Sequence, residues 1–345
     1  DIHIEPLEKS LRIRFRLDGE LREMMQIDNN SHSAIVTRIK IIGNMDIAEK
    51  RVPQDGRVEM TVDGRVVDMR LSVMPTVYGE KIVIRLLDRS AAAISKRDLG
   101  FSEENMALLD KIIQNPHGII LVTGSGKTTT LYAILRELNS IGRNIITIED
   151  PVEYRLNGVN QSQVNTKAGY TFANGLRSIL RQDPDIIMIG EIRDAETAEI
   201  AVRAAITGHL VLSTIHTNDA VSTISRLMDM GIEPYMVSSS MVGVIAQRLV
   251  RRICPNCRQS YPPSSGEKKV LGIEDDETLL YRGRGCAACG SSGYKGRTAI
   301  HEILPMWEEI KEAIDTGMPM VEIKKLAQTL GMISLRDSCR DLVLS

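Results

Sequence analysis

Aromatic rings are scarce in this chain. Of 345 residues, 3% are aromatic, with one Trp and three Phe. Single-stranded nucleic acid is held largely by stacking bases on such rings, so this composition weighs against a single-strand binder. Positive charge is not in excess either: 43 basic and 45 acidic residues give a formal net charge of −2. General nucleic-acid binders usually carry a basic surplus. No apolar run reaches the roughly 18–20 residues of a membrane span. The opening Asp1-Ile2-His3-Ile4-Glu5-Pro6 is no signal peptide. It lacks Met and begins directly in strand-like sequence, which reads as a fragment of a longer protein. Cysteine is sparse, but four of the five fall in two C-x-x-C pairs. That spacing suggests a metal site in a reducing cytoplasm rather than disulfides. What remains is ordinary globular composition, 43% hydrophobic and 26% charged. The length suits about two or three domains.

Residues 1 to about 95 read as a small, strand-rich α+β domain. Leu11 to Leu17 alternates apolar and basic residues, the period of a half-buried strand. Asp18-Gly19 and Asp63-Gly64 read as hairpin turns. Ser33 to Asn44 carries helical spacing. A polar stretch follows, with residues 96–102 as linker. From 103 to 345, helices alternate with short buried strands at Ile119–Thr123, Asn144–Ile148, Ile186–Ile189 and Leu210–Thr214. This is the α/β pattern of a parallel sheet with crossover helices. Val221 to Leu249 reads as a helical block ahead of a cysteine module at about 253–300, and the tail from Met306 reads as mostly helical.

The chemistry concentrates at the ends of these strands. Ile119 to Thr123 runs into Gly124-Ser125-Gly126-Lys127-Thr128-Thr129 and then into a helix. This is the build of a nucleotide phosphate loop: backbone N–H groups and a helix N-terminus face phosphate. Lys127 is placed to reach the β/γ-phosphates and the Thr128 hydroxyl to sit on Mg²⁺. The loop is short by about three residues against the usual spacing. With every downstream segment intact, the expectation is that residues are missing from this sequence between Val122 and Ser125, which would leave a break between consecutive numbers there.

Asp183 to Glu191 is a buried strand ending in Gly190 and a carboxylate, where Glu191 can orient or deprotonate an attacking water. Ile146 to Tyr154 ends in Glu149, Asp150 and Glu153, a set suited to metal or water handling. Thr207 to Asn218 brings Ser213, Thr214, His216, Thr217 and Asn218 to a third strand end, where they can hydrogen-bond a γ-phosphate. Cys254, Cys257, Cys286 and Cys289 can close a tetrahedral thiolate site around Zn²⁺. With all four positions thiolate, none is left for water, and the metal would be structural. Cys339 falls in a helical pattern and reads as core.

These segments together resemble the secretion and pilus-assembly ATPases, the traffic motors of type II secretion and type IV pili. The resemblance spans nearly the whole chain. It is carried by Asp1 to Pro6, Glu49 to Arg57, Tyr78-Gly79-Glu80-Lys81, the aspartate box around Glu149-Asp150-Pro151, the Walker B segment Gly190-Glu191-Ile192-Arg193-Asp194, and the histidine box Thr214-Ile215-His216-Thr217. It implies a RecA-like ATPase domain behind a small N-terminal domain that swings to close over nucleotide. It also implies a homohexamer, ATP/ADP with Mg²⁺, and an inner-membrane platform protein as partner. Location would be cytoplasmic, peripheral at the inner membrane. The resemblance gives catalytic roles to Glu191, Glu149, His216 and Arg193, with Arg70 and Arg85 sent from the small domain toward the phosphates. Arg177, Arg181 and Arg226 match others near the active site or subunit boundary. Guanidinium groups delivered on closure suit the charge of a transferring phosphoryl group. The four-cysteine module points to the assembly branch, which makes pilin polymerisation the leading expectation and type II secretion its alternative. Two other classes stand beside it: a nucleic-acid motor on the same core, and a non-hydrolysing structural subunit suggested by the short loop.

Overall fold

In the computed structural model, which describes residues 1–62, 64–88, 94–275 and 277–345, the chain divides into two units, Asp1–Ala93 and Ile94–Ser345. The first is built on strand alternation. β1 (Ile2–Pro6), β2 (Ser10–Leu17), β3 (Glu20–Asp28), β4 (Gln54–Val62), β5 (Arg65–Thr76) and β6 (Gly79–Asp88) form a sheet in the order β3-β2-β1-β6-β5-β4. Every pairing is antiparallel. Asp18 and Gly19, both at positive φ, make the two-residue turn between β2 and β3, the geometry hairpin twist favours. Asp63 of the second expected hairpin turn lies outside the described residues. The helix α1 (His32–Ile42) lays Val36 and Ile39 on one sheet face, against Ile4, Leu11, Leu71, Val73 and Ile82.

Period-two alternation sends the charged residues to the opposite face. There Glu5 accepts from Arg14 (2.8 Å) and pairs with Lys81 (3.0 Å). Burial raises the Glu5 carboxyl, but these cations outweigh it and hold its pKa at about 2. On the same face Arg57, Arg70 and Arg85 stand directly opposite one another across β4, β5 and β6. Arg57 is paired with Asp68 and Arg85 with Asp1.

The second unit is layered α/β. Its helices are α2 (Glu103–Ile113), α3 (Lys127–Leu138), α4 (Phe172–Ile179), α5 (Ala195–Ile206), α6 (Val221–Asp229), α7 (Pro234–Ser240), α8 (Ser265–Leu271), α9 (Glu308–Asp315), α10 (Met320–Thr329) and α11 (Leu335–Leu344). Its large sheet contains β7 (Gly118–Gly124), β8 (Ile145–Glu149), β9 (Asn160–Gln163), β10 (Ile186–Ile189), β11 (Leu210–Thr214), β12 (Met241–Ile253) and, beyond the ribbon β13 (Arg258–Tyr261) and β14 (Leu280–Gly283), β15 (Tyr294–Pro305). The order is β15-β12-β7-β11-β10-β8-β9, parallel throughout except for β15 against β12. Strands β7, β10 and β11 are apolar on both faces because helices cover both. One core holds Leu121, Ile187, Ile189 and Val211 with α5 to α7, the other Ile120, Val122, Met188 and Leu212 with α2 and α3.

Two expectations need correction. Val221 to Leu249 is not one helical block: α6 and α7 end at Ser240, and β12 begins at Met241. Met241 to Ala246 is an apolar run buried between β7 and β15, where an interior strand and a buried helix share the same hydrophobicity. Cys339 is half-buried on α11, a helix without a buried residue, and lines a cleft of about 660 Å³ with α8. Residues 94–102 fold onto the second unit. Lys96 pairs with Asp110 and with Glu137 (2.6 Å), and Phe101 stacks on His301 at 3.7 Å.

Candidate active site and metal centre

The C-terminal ends of β7, β8, β10 and β11 point to one side of the sheet, as parallel pairing requires. A cavity of about 260 Å³ lies there. Lys127, Thr128, Glu149, Asp150, Glu153, Glu191, Arg193 and His216 are among its lining residues. The Glu191 side chain is 12% exposed, pairs with Arg193, and lies 3.5 Å from His216 Nε2. Arg193 and His216 are themselves open to solvent, at 62% and 70%. Lys127 is half-buried; burial lowers its ammonium pKa, with Arg248 adding to this and Glu191 opposing it. Four carboxylates, the hydroxyl-bearing Thr128 and Thr214 and one ammonium thus line a space whose chemistry suits phosphate and a hard cation, the latter preferring oxygen ligands.

Two expected groups are committed elsewhere. Glu149 is 2% exposed. Its carboxylate accepts from Tyr132 OH, from Thr147 Oγ1 at 2.6 Å and from Gln161 Nε2 at 3.0 Å. Burial raises its pKa against the pull of these three donors. The β11 hydroxyls are also occupied: Ser213 Oγ donates to Ile189 O (2.8 Å) and Thr214 Oγ1 to Gly190 O (2.8 Å). Thr217 Oγ1 lies 3.0 Å from Thr123 Oγ1. These side chains brace the strand ends. Tyr132, Gln161 and Gln247 were not singled out from sequence. The one signal available was a polar Gln247 inside an apolar strand run.

β7 runs unbroken through Gly124, Thr123 and Gly124 pair with Ala246 and Gln247, and Ser125 N donates to Gln247 O at 3.1 Å. Pairing with β12 extends the ladder past the end of β7, as far as Ser125. Gly124 has φ 97°, and a Cβ there would lie 1.9 Å from Gln247 O, so only glycine fits.

The remaining arginines are dispersed. Arg177 on α4 pairs with Glu196 (2.7 Å), Arg181 donates to Arg177 O (2.8 Å), and Arg226 is exposed on α6. None lines the cavity with Lys127 and Glu191. Arg70 and Arg85 belong to the first unit.

The four cysteines converge. Sγ–Sγ separations are 3.9 Å for Cys254–Cys286 and for Cys257–Cys289, and 3.7 Å for Cys286–Cys289. All four sulfurs lie within 4.8 Å of one another. A tetrahedron with metal–sulfur bonds of about 2.3 Å has edges of about 3.8 Å, so the donor set fits Zn²⁺. None of the cysteines is in a disulfide. Burial acts to raise the Cys289 thiol, but N–H groups of Cys286 (3.2 Å) and Gly293 (3.3 Å) outweigh it and bring it to about 6. Burial instead pushes the neighbouring Cys257 thiol up to about 11, so ligation there would have to displace a proton.

A glycine turn into α3, a strand-end glutamate and a four-cysteine knuckle between β12 and β15 make a recognisable set. Residues 1–345 match the family described as type II/IV secretion system protein. The chain belongs to that family. Among relatives of this secretion family, type II secretion system protein E of Pseudomonas aeruginosa is 51% identical over 348 residues, covering 100% of this chain and 69% of that protein. The aligned span exceeds the 345 residues here, so that relative has residues where this chain has none. Type II secretion system ATPase E of Vibrio cholerae is 53% identical, covering 91% of this chain and 63% of its own length. Among solved structures, the pilus retraction motor PilT with bound ADP superimposes with TM-score 0.61 at 25% identity, covering 98% of this chain and 91% of that one. The Legionella pneumophila ATPase DotB shares the fold, with TM-score 0.64 at 21% identity, covering 99% and 90%. The family and its structural neighbours are secretion and pilus ATPases. The relatives' names favour type II secretion over the pilus-assembly expectation. Among the described residues no helix is long and apolar enough to cross a membrane.

Proposed function

We propose that this chain is the motor module of a type II secretion machine, hydrolysing ATP to do mechanical work as a homohexamer beneath an inner-membrane platform protein. The observation that carries this reading is the meeting of Lys127 and Thr128, at the start of α3, with Glu191 in one cavity. In this reading Lys127 offsets phosphate charge. Thr128, with Asp150, Glu153 or Glu191, would hold Mg²⁺, which when bound supplies Lewis-acid stabilisation of the transferring phosphoryl group. Glu191 orients the attacking water and takes its proton, while Arg193 and His216 hold the carboxylate in position. Glu149 acts through Tyr132, Thr147 and Gln161 as a brace for the wall of the site. Arg70 and Arg85 supply cationic charge on domain closure, and Arg177, Arg181 and Arg226 serve subunit boundaries. Zinc at Cys254, Cys257, Cys286 and Cys289 is structural. Support for the type II pathway comes from relatives of that name at 51% and 53% identity.

Glu191→Gln tests the assignment. Turnover is expected to fall about 10²-fold or more, the scale of a lost general base, with ATP binding retained. Near-normal turnover in that variant would remove Glu191 from the chemistry. A second reading, a non-hydrolysing structural subunit, is favoured by the short loop alone. Absence of turnover in the intact chain, in the presence of nucleotide binding, would decide for it.

A further inference from the structure

Every polar atom of Ser125 is tied to β12. Its N–H donates to Gln247 O (3.1 Å), its carbonyl accepts from Gln247 Nε2 (2.6 Å), and its Oγ accepts from Leu249 N (2.8 Å). The other end of the Gln247 amide accepts from Thr130 Oγ1 on α3 (2.8 Å). Gln247 is 2% exposed. One buried side chain therefore ties the phosphate loop to the helix that follows it. Beside it, Lys127 Nζ folds back to Gly124 O at 3.3 Å. The amide and ammonium that phosphate oxygens would take are thus turned inward. The cavity reflects this: Lys127 and Thr128 line it, but Gly124, Ser125 and Gly126 do not. Its volume of about 260 Å³ falls below the about 300–1,000 Å³ of typical ligand pockets.

We infer that Gln247 is a latch on the phosphate loop, holding it closed against di- and triphosphates until Ser125 leaves β12. This rests on the ATPase reading and concerns the regulation of that same site. On opening, a phosphate oxygen replaces Gln247 O as acceptor for Ser125 N–H, and Lys127 exchanges Gly124 O for phosphate. The shortening of the loop gives the latch its hold, since a longer loop would bow away from β12 while keeping both of its ends. Gln247 is a positioning residue in this scheme and makes no contact with nucleotide.

Calorimetric binding of Mg·ATP, ADP and adenosine to the intact 345-residue chain tests the latch. Gln247→Ala is expected to tighten ATP and ADP about tenfold, the equivalent of about 1.4 kcal/mol of removed competing hydrogen bonds. Adenosine, which has no phosphate to engage the loop, should be unchanged. A second variant inserts a glycine and two further residues between Thr123 and Gly124, restoring the usual spacing of a phosphate loop. It should tighten ATP and ADP at least as much, and adding Gln247→Ala to it should gain nothing more. A purely structural Gln247 predicts the reverse, with all three ligands weakened together and a lower thermal midpoint. Unchanged or weaker ATP binding by Gln247→Ala beside tight binding by the insertion variant would overturn the latch and leave the ATPase reading intact. An insertion variant that folds but binds no tighter than the parent would also overturn it. Lack of binding by parent and variants alike would overturn both.

Discussion

Replacing Cys257 by Ser should release the metal and unfold one module without unfolding the sheet. The sulfurs are spaced 3.7–3.9 Å, the edge length of a thiolate tetrahedron. Structural zinc contributes about 10–16 kcal/mol of apparent binding free energy in small metal-folded peptides. Between the two knuckles, the sheet among the described residues is the ribbon of β13 and β14, four residues each, and a lone two-stranded ribbon is marginal in water. Ile300, Ile303 and Leu304 of β15, by contrast, are buried in the main sheet and need no metal. The expected result is one zinc per chain in reduced protein by elemental analysis, and far below one in Cys257→Ser. Hydrogen exchange in the variant should accelerate across residues 254–293 and stay slow in β7, β10 and β11. Substoichiometric metal in freshly purified, reduced parent protein would refute the reasoning. So would unchanged exchange across the module after complete chelation.

Arg70→Ala and Arg85→Ala should each slow ATP turnover although both lie in the first unit; normal turnover by both variants within an intact hexamer would assign them to strand packing. His301 is 1% exposed, and burial lowers its pKa to about 4. Unfolding lets it bind a proton below about pH 6.5, so stability should be full above that value and fall by about 3 kcal/mol as pH drops to 4. Urea titrations of the parent and His301→Phe measure this directly, and an equal acid loss in both would place the effect elsewhere.

Legibility in the sequence followed periodicity. The four short parallel strands stood out as apolar runs between helices, and the residues expected at their ends do line one cavity, because parallel pairing brings those ends to the same side. β12 was hidden because a strand buried on both faces loses its period-two signature, and Met241 to Ala246 reads equally well as helix. Glu149 was legible as a strand-end acid, but its fate depends on Tyr132 and Gln161, partners that fold through separate crossovers. The glycine turn entering a helix was legible down to the residue, and α3 does begin at Lys127. Its closure was not, since Gln247 lies far from Ser125 in sequence and meets it only through sheet order. The cysteine knuckles were readable because a ligand pair three residues apart needs little else to specify it.

β12 and β15 pair from Gly243–Pro305 to Ile253–Tyr294, with one irregularity between Arg251 and Ile253. At one end this ladder enters the cysteine knuckles directly, through Cys254 and Gly293. Two strands under load part easily when peeled from a free end, one hydrogen bond at a time. They resist far more when all bonds must shear together. A metal held by the knuckles would remove the free end. The pair would then behave as a stiff spar, able to carry displacement from the module along β12 to the phosphate loop without unzipping.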